Sequence, residues 1–212
     1  MAEHLDAAER HELCDLFDKL GPDAPTIPEG WTTFDLLTHL IQRERDPIGA
    51  PGIVVPGPLR SLSERRRKGL KDKGYAELVQ QLRDGPPVGF FRIPWVRNGP
   101  NLNEFFVHHE DVRRANGMGP RDLSPAMADA LWSNLKQGAW LLTMRTRGPG
   151  LVLDWQGTST THKAKGSEPF VHLTGTPGEL LLYLFNRREV AAVELSGPAD
   201  AVAQVRRASF GM

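Results

Sequence analysis

The chain has 212 residues, 40% hydrophobic and 25% charged, with 26 basic against 26 acidic side chains and a formal net charge of +0. That composition is globular and long enough to bury a core as one domain with an appendage or as two small ones, while a charge sum of zero supplies no global field to recruit nucleic acid or an anionic membrane. A single cysteine, Cys14, excludes an internal disulfide and a cysteine-rich zinc site, so any metal has to be held by histidines and carboxylates.

Residues 3–20 place Leu5, Ala8, Leu13, Leu16, Phe17 and Leu20 at helical spacing with an acidic face opposite, and Gly21-Pro22 ends this first helix. After a proline-rich turn over 22–30, Thr32 and Asp35 have the spacing of a capping box ahead of a second helix, whose buried stripe is Leu36, Leu37, Leu40 and Ile41 and which Asp46-Pro47 closes. Residues 47–60, rich in proline and glycine, read as loop; a shorter helical region over 61–84 turns Leu70, Tyr75, Leu78, Val79 and Leu82 inward; 85–100 reads as loop again. Asn98-Gly99-Pro100-Asn101 leads into a third long helix over 101–116, and Ser124-Pro125 starts a fourth with the stripe Met127, Leu131, Leu135, Ala139 and Leu142. Four principal helices joined by connections of varied length predict a bundle.

The pattern changes after Arg147-Gly148-Pro149-Gly150. Leu151–Trp155, Thr158–Lys165, Phe170–Leu173 and Val190–Leu195 read as strands. Thr176-Pro177-Gly178-Glu179 starts a helix, with Thr176 as N-cap and Glu179 at the third helical position, and Gly197-Pro198 starts a last helix carrying Val202, Val205 and Phe210. The expected fold is therefore α+β, an N-terminal four-helix bundle over 1–146 with a small C-terminal α/β domain over 147–212. With no apolar run near the roughly 20 residues that span a bilayer, and none of the basic and apolar regions of a secretory signal at the N-terminus, a cytoplasmic protein is expected.

The stretch richest in chemistry is Asn101-Leu-Asn-Glu-Phe-Phe-Val-His-His-Glu-Asp111. Glu104 and His108 stand four apart and so project side by side from one helix face, which Asp111 continues. A carboxylate and an imidazole one helical turn apart are ordinary ligands for zinc at about 2.0–2.2 Å, and His39, bordering the buried Leu36 and Leu40, is the natural third donor across the bundle. Three protein ligands leave a fourth position open, the arrangement of a catalytic metal. Spacing alone leaves a plainer reading open as well, because Glu–His pairs of this kind arise on helix surfaces and Glu104 can serve the helix start through the dipole.

Two segments together, Trp31-Thr-x-x-Asp35-Leu-x-x-His39-Leu and Glu104-x-x-x-His108-x-x-Asp111, resemble the N-terminal domain of the mycothiol-dependent maleylpyruvate isomerase family, an actinobacterial branch of the DinB-like metal-binding four-helix bundles. The resemblance continues in Leu173-Thr-Gly-Thr-Pro-Gly-Glu-Leu-Leu-Leu-Tyr-Leu-Phe-Asn-Arg187 and the following Val-Glu-Leu-Ser-Gly197, similar to the smaller C-terminal domain of many members, except that Asn186 stands where a glycine commonly precedes the arginine. It implies that His39, Glu104 and His108 bind a divalent metal, zinc above all and nickel as the other candidate. It also implies a transferase or isomerase that activates a low-molecular-weight thiol, mycothiol, against an electrophilic substrate.

Asp111 reads as a carboxylate that holds a ring nitrogen of His108 or a bound ligand, and equally as a surface anion for Arg113 and Arg114. Arg187 is a candidate anchor for a carboxylate on thiol or substrate, with a helix-terminal arginine as the plainer alternative. His109 points about 100° away from His108 and reads as a packing or surface residue. The basic run from Arg60 to Lys73 reads as a solvated helix face, and Cys14 as a small buried hydrophobe. Two other functions compete: a non-catalytic metal- or small-ligand-binding protein on the same three ligands, and a lipid carrier, for which about 65 C-terminal residues are few. The partners expected are small molecules, with no nucleic acid and no membrane, on a monomer or homodimer.

Overall fold

The computed structural model describes residues 4–46, 58–87 and 90–210, the side chains of 58–60 excepted. Of the loop expected over 47–60, residues 47–57 lie outside the described residues and 58–60 instead begin a helix. The chain forms two compact units, Met1–Gly119 and Pro120–Met212.

The first unit holds α1 (Leu5–Leu20), α2 (Thr33–Arg45), α3 (Pro58–Leu70), α4 (Tyr75–Arg83) and α5 (Leu102–Ala115). α1 packs on α4 and α5, and α2 on α3 and α4, around Leu13, Phe17, Leu36, Leu37, Leu40, Leu78, Leu82 and Phe105, all shut off from solvent. The capping box forms as read: the Thr32 side chain accepts from the Asp35 N–H, and Asp35 Oδ2 accepts from the Thr32 N–H at 3.3 Å. The helical region over 61–84 breaks in two. A 3₁₀ turn at Lys71–Lys73 is followed by Gly74 at φ 88°, a left-handed conformation that glycine adopts without the Cβ penalty. From residue 90 on, the stretch read as loop over 85–100 instead forms a 3₁₀ turn (Phe90–Arg92), one helical turn (Pro94–Val96) and a wide π turn (Arg97–Asn101) that feeds α5.

The second unit contains α6 (Pro125–Thr143), β1 (Gly150–Trp155), β2 (Thr161–Lys165), β3 (Phe170–Gly175), α7 (Pro177–Leu184), β4 (Glu194–Ser196) and α8 (Ala199–Arg207). Its sheet runs β2-β1-β3-β4, with β1 and β3 parallel and the outer pairs antiparallel. α6, read from the sequence as a fourth helix of the bundle, packs on β2 and α7, and the compact units divide at Gly119/Pro120. An apolar stripe shows that one face is buried and says nothing of what covers it. In the first unit α4 takes that place beside α1 and α2.

Thr176 is the N-cap residue of α7 as read, with Pro177 directly after it, although its side chain makes no cap bond; Glu179, 6% exposed, accepts the Ala192 N–H at 2.7 Å, tying the start of α7 to the segment before β4. The strand read at 190–195 shortens to Glu194–Ser196. Asn186, the departure from the glycine of the resembled pattern, sits at φ 63°, where asparagine is tolerated better than most side chains. Its amide also holds the Phe210 backbone, accepting the N–H at 2.8 Å and donating to the carbonyl. Among the described residues no helix is long and apolar enough to cross a membrane.

Candidate metal centre

α2 and α5 bring the predicted donors together. His39 Nε2 lies 3.3 Å from Glu104 Oε1, and His108 Nε2 lies 3.2 Å from the same oxygen. The two imidazoles meet edge to face with centroids 5.2 Å apart. Three donors around one ion, with bonds of about 2.1 Å spread tetrahedrally, stand about 3.4 Å from one another. Both nitrogens approach the shared oxygen at that edge length, longer than the usual 2.9–3.0 Å of an N–H···O hydrogen bond. All three ligand atoms lie within 4.8 Å of one another. The donor set and its spacing fit a divalent ion.

The shell around the donors fixes their orientation. Asp111, shut off from solvent, meets His108 Nδ1 through Oδ2 at 2.9 Å; this pairing puts the proton on Nδ1 and leaves the Nε2 lone pair for the ion. Trp31 packs its ring 5.4 Å from that of His39, and the Arg67 guanidinium covers the indole at 4.8 Å. The loop carrying Trp31 is pinned to α5, since the Ile27 N–H donates to Asp111 O at 3.2 Å and Asn116 Nδ2 to Pro25 O at 3.0 Å. The capping box starts α2 so that His39, on its second turn, faces α5.

Charge in the cluster is unevenly held. Burial keeps His39 below the ordinary imidazole value, against the pull of its contact with Glu104. Burial pushes the Glu104 carboxyl up, but the two histidines and Arg43 outweigh it and hold it well below the carboxylate range. Burial also disfavours a charged His108, yet Asp111 and Glu104 overcome that and raise it to about 9. A carboxylate that stays ionised and a histidine that gives up its proton on metallation are suited to a cation.

The remaining candidates fall elsewhere. His109 is buried on another face of α5, its Nδ1 2.8 Å from Glu9 Oε1 on α1; with the exposed Glu12 these two form a second group of potential donors. The lone His109 gave no sign of this partner, which stands 100 residues earlier. Cys14 is fully buried, and burial pushes its thiol up to about 12, so it is the small hydrophobe expected. Arg187, in the second unit, donates from Nη1 to Phe185 O at 2.7 Å beside the end of α7. The basic run is less solvated than read: Arg67 and Lys71 both reach Asp35, at 2.7 and 2.9 Å, and Arg66 pairs with Asp46. A hollow of about 450 Å³ lined by Arg45, Asp46, Arg66 and Lys73 contains none of the three donors.

No protein-family model matches the chain, and no curated protein matches it. Among solved structures it is similar to a crystal structure titled as the mycothiol-dependent maleylpyruvate isomerase, at TM-score 0.61 and 17% identity, over 91% of this chain and 89% of that one. A histidine-to-alanine mutant of that enzyme matches over the same shares at TM-score 0.52 and 16% identity. The likeness is one of fold. It covers most of the sequence, in agreement with the α+β reading.

Proposed function

We propose that this chain binds one divalent ion, zinc or nickel, through His39, Glu104 and His108, and works as a metal-dependent transferase or isomerase that uses a low-molecular-weight thiol, mycothiol, on a small electrophilic substrate. The convergence of two histidine nitrogens on one oxygen of Glu104, at the edge length of a metal polyhedron, carries the reading. The isomerase fold over most of the chain supports the class of reaction. When bound, the ion would supply Lewis acidity that lowers a thiol's pKa and so favours the nucleophilic thiolate at neutral pH.

The chain's own residues do the rest. Asp111 holds the proton at His108 Nδ1 and so aims Nε2. Trp31 covers one side of His39, restricting water there. Glu104 brings the negative charge that attracts a dication to the set. No protein nucleophile is needed, consistent with the inert Cys14. Arg187 is proposed as an anchor for a carboxylate group, to be tested by replacing it on its own.

Metal analysis of the purified protein tests the reading first. About one divalent ion per chain is expected, lost in H39A, E104A and H108A, because two ligands rarely retain zinc through dialysis. Full occupancy in all three variants would end the proposal. In the cobalt-substituted protein, added thiol should raise an intense sulfur-to-metal charge-transfer band; a spectrum indifferent to saturating thiol would leave a non-catalytic metal site instead.

A further inference from the structure

Three arginines gather around the C-terminal half of α2, and two of them spend their terminal nitrogens on a carboxylate or on backbone carbonyls, with Arg45 Nε buried. Arg10 forms a buried two-pronged pair with Glu44, at 2.5 and 2.6 Å. Arg45 gives Nη2 to the carbonyls of Gln81 and Gly85, a structural cap for chain ends. Arg43 differs. Its Nη1 donates at 2.7 Å to Asn101 Oδ1, a neutral amide, and its nearest carboxylate is Glu104, whose Oε1 lies 3.6 Å from Nε, too far for a hydrogen bond. Among the described residues Nη2 meets no hydrogen-bond acceptor.

The guanidinium is nonetheless held firmly. Asn101, shut off from solvent in the π turn, donates through Nδ2 to Asp6 Oδ2 at 3.1 Å, and Asp6 is itself gripped by Arg97 at 2.8–3.2 Å. Phe91 lies under the guanidinium, 4.7 Å from its centre. So a chain of contacts from α1 through the π turn fixes a cation whose one carboxylate neighbour among the described residues is Glu104, at 3.6 Å. If Glu104 ligates a dication, its charge is spent there and Arg43 becomes a positive charge with no anionic partner in contact. A planar fork in that state is a receptor for an oxyanion.

We propose that Arg43 is the anion-recognising residue of this centre: it receives an acidic group, such as a carboxylate or sulfonate, carried by the small molecule that enters beside the metal. Asn101, Asp6 and Arg97 are positioning residues that keep the fork in place. The proposal rests on the metal reading above and deepens it, because it assigns the charge of the ligand. A role confined to the dipole at the end of α2, which would equally suit Arg45, would hold Arg43 to stability alone.

The test uses the cobalt-substituted full chain and two thiols of similar size, 2-mercaptoethanesulfonate and 2-mercaptoethanol, titrated by the charge-transfer band. The wild type should bind the sulfonate thiol about tenfold more tightly, as one charge-assisted contact provides. In R43M the two affinities should come within about twofold of each other, with cobalt still bound and the affinity for 2-mercaptoethanol little changed. If R43M does not fold, R43K serves: the ammonium keeps the charge and loses the fork, and the preference should fall by about threefold. An undiminished sulfonate preference in either variant overturns the proposal, as does a wild type that binds cobalt and both thiols equally. A wild type that takes up no cobalt overturns the metal reading itself, a separate result seen before any thiol is added.

Discussion

Consecutive histidines on α5 meet different partners. His108 and a neighbouring histidine, His39, both point Nε2 at one carboxylate oxygen at 3.2–3.3 Å, so that three potential ligand atoms converge on one place. His109, one residue on and rotated about 100° around the helix, meets Glu9 at 2.8 Å, the distance of a satisfied hydrogen bond between a donor and an acceptor. Both are buried beside carboxylates, so burial and acid–base pairing do not distinguish a site from a structural pair. What differs is the arrangement: two imidazoles share one oxygen of Glu104, whereas His109 meets Glu9 one to one at a shorter distance.

The largest effects should separate these two histidines. H108A is expected to abolish metal retention after dialysis, while H109A should leave metal content near one ion per chain and cost about 3 kcal/mol of unfolding free energy, since Glu9, 1% exposed, loses a charge-assisted partner. Metal analysis paired with denaturant unfolding of both variants reads the crossover. Loss of the ion from H109A with H108A unaffected would reverse the assignment and move the centre to Glu9, Glu12 and His109.

A smaller effect tests how far the His108 side depends on its support. Asp111 touches the ring nitrogen that does not face Glu104, so D111N should keep the three donors and weaken metal affinity by roughly 10- to 100-fold, as read by chelator competition. The same measurement on E9Q should show no change. Equal losses in the two variants would mean that the helix as a whole, and not the His108 face, governs binding.

How much of this was legible in the sequence follows from range. The i,i+4 pair Glu104 and His108, the i,i+3 contact of His108 with Asp111 and the Thr32–Asp35 capping box are local, and each formed as its spacing required. His39 was placed opposite them by its position on an amphipathic helix together with the resemblance. The partners of His109 and Arg43 were not legible, because Glu9 and Asn101 lie 100 and 58 residues away and no periodicity links them. Arg43 moreover sits in the last turn of α2, where the helix dipole accounts for an arginine without any partner. The helix start at Thr176-Pro177 was legible and formed, but the contact of Glu179 with the Ala192 N–H was not, because it joins segments that local spacing does not link. α6 shows the same limit at larger scale: its stripe gave burial, and nothing in the stripe named β2 and α7 as its cover.

The smallest predicted effect lies behind the His39 side of the centre and concerns pH. Asp35 closes the capping box that starts α2, and it also receives Arg67 and Lys71 from the basic run, with Arg67 in turn covering the Trp31 indole beside His39. Burial pushes its carboxyl up, but the bonds from Arg67, Lys71 and Thr32 prevail and lower it from 3.8 to about 2. A depressed carboxylate contributes stability that is fully present above the unfolded value of 3.8 and is lost as pH falls through the folded value near 2. D35N keeps an acceptor for the Thr32 N–H and removes only the charge, so its cost isolates the ion pairs from the cap. Discounted for partial exposure, that cost should be about 1 kcal/mol at pH 7, shrinking toward zero near pH 2. Urea unfolding of wild type and variant across pH 2–7 measures it, and a difference that persists undiminished at pH 2 would assign Asp35's contribution to geometry rather than charge. With the loop of Trp31 then less firmly held, the metal affinity of D35N should drop by no more than a few-fold, well short of the loss in D111N.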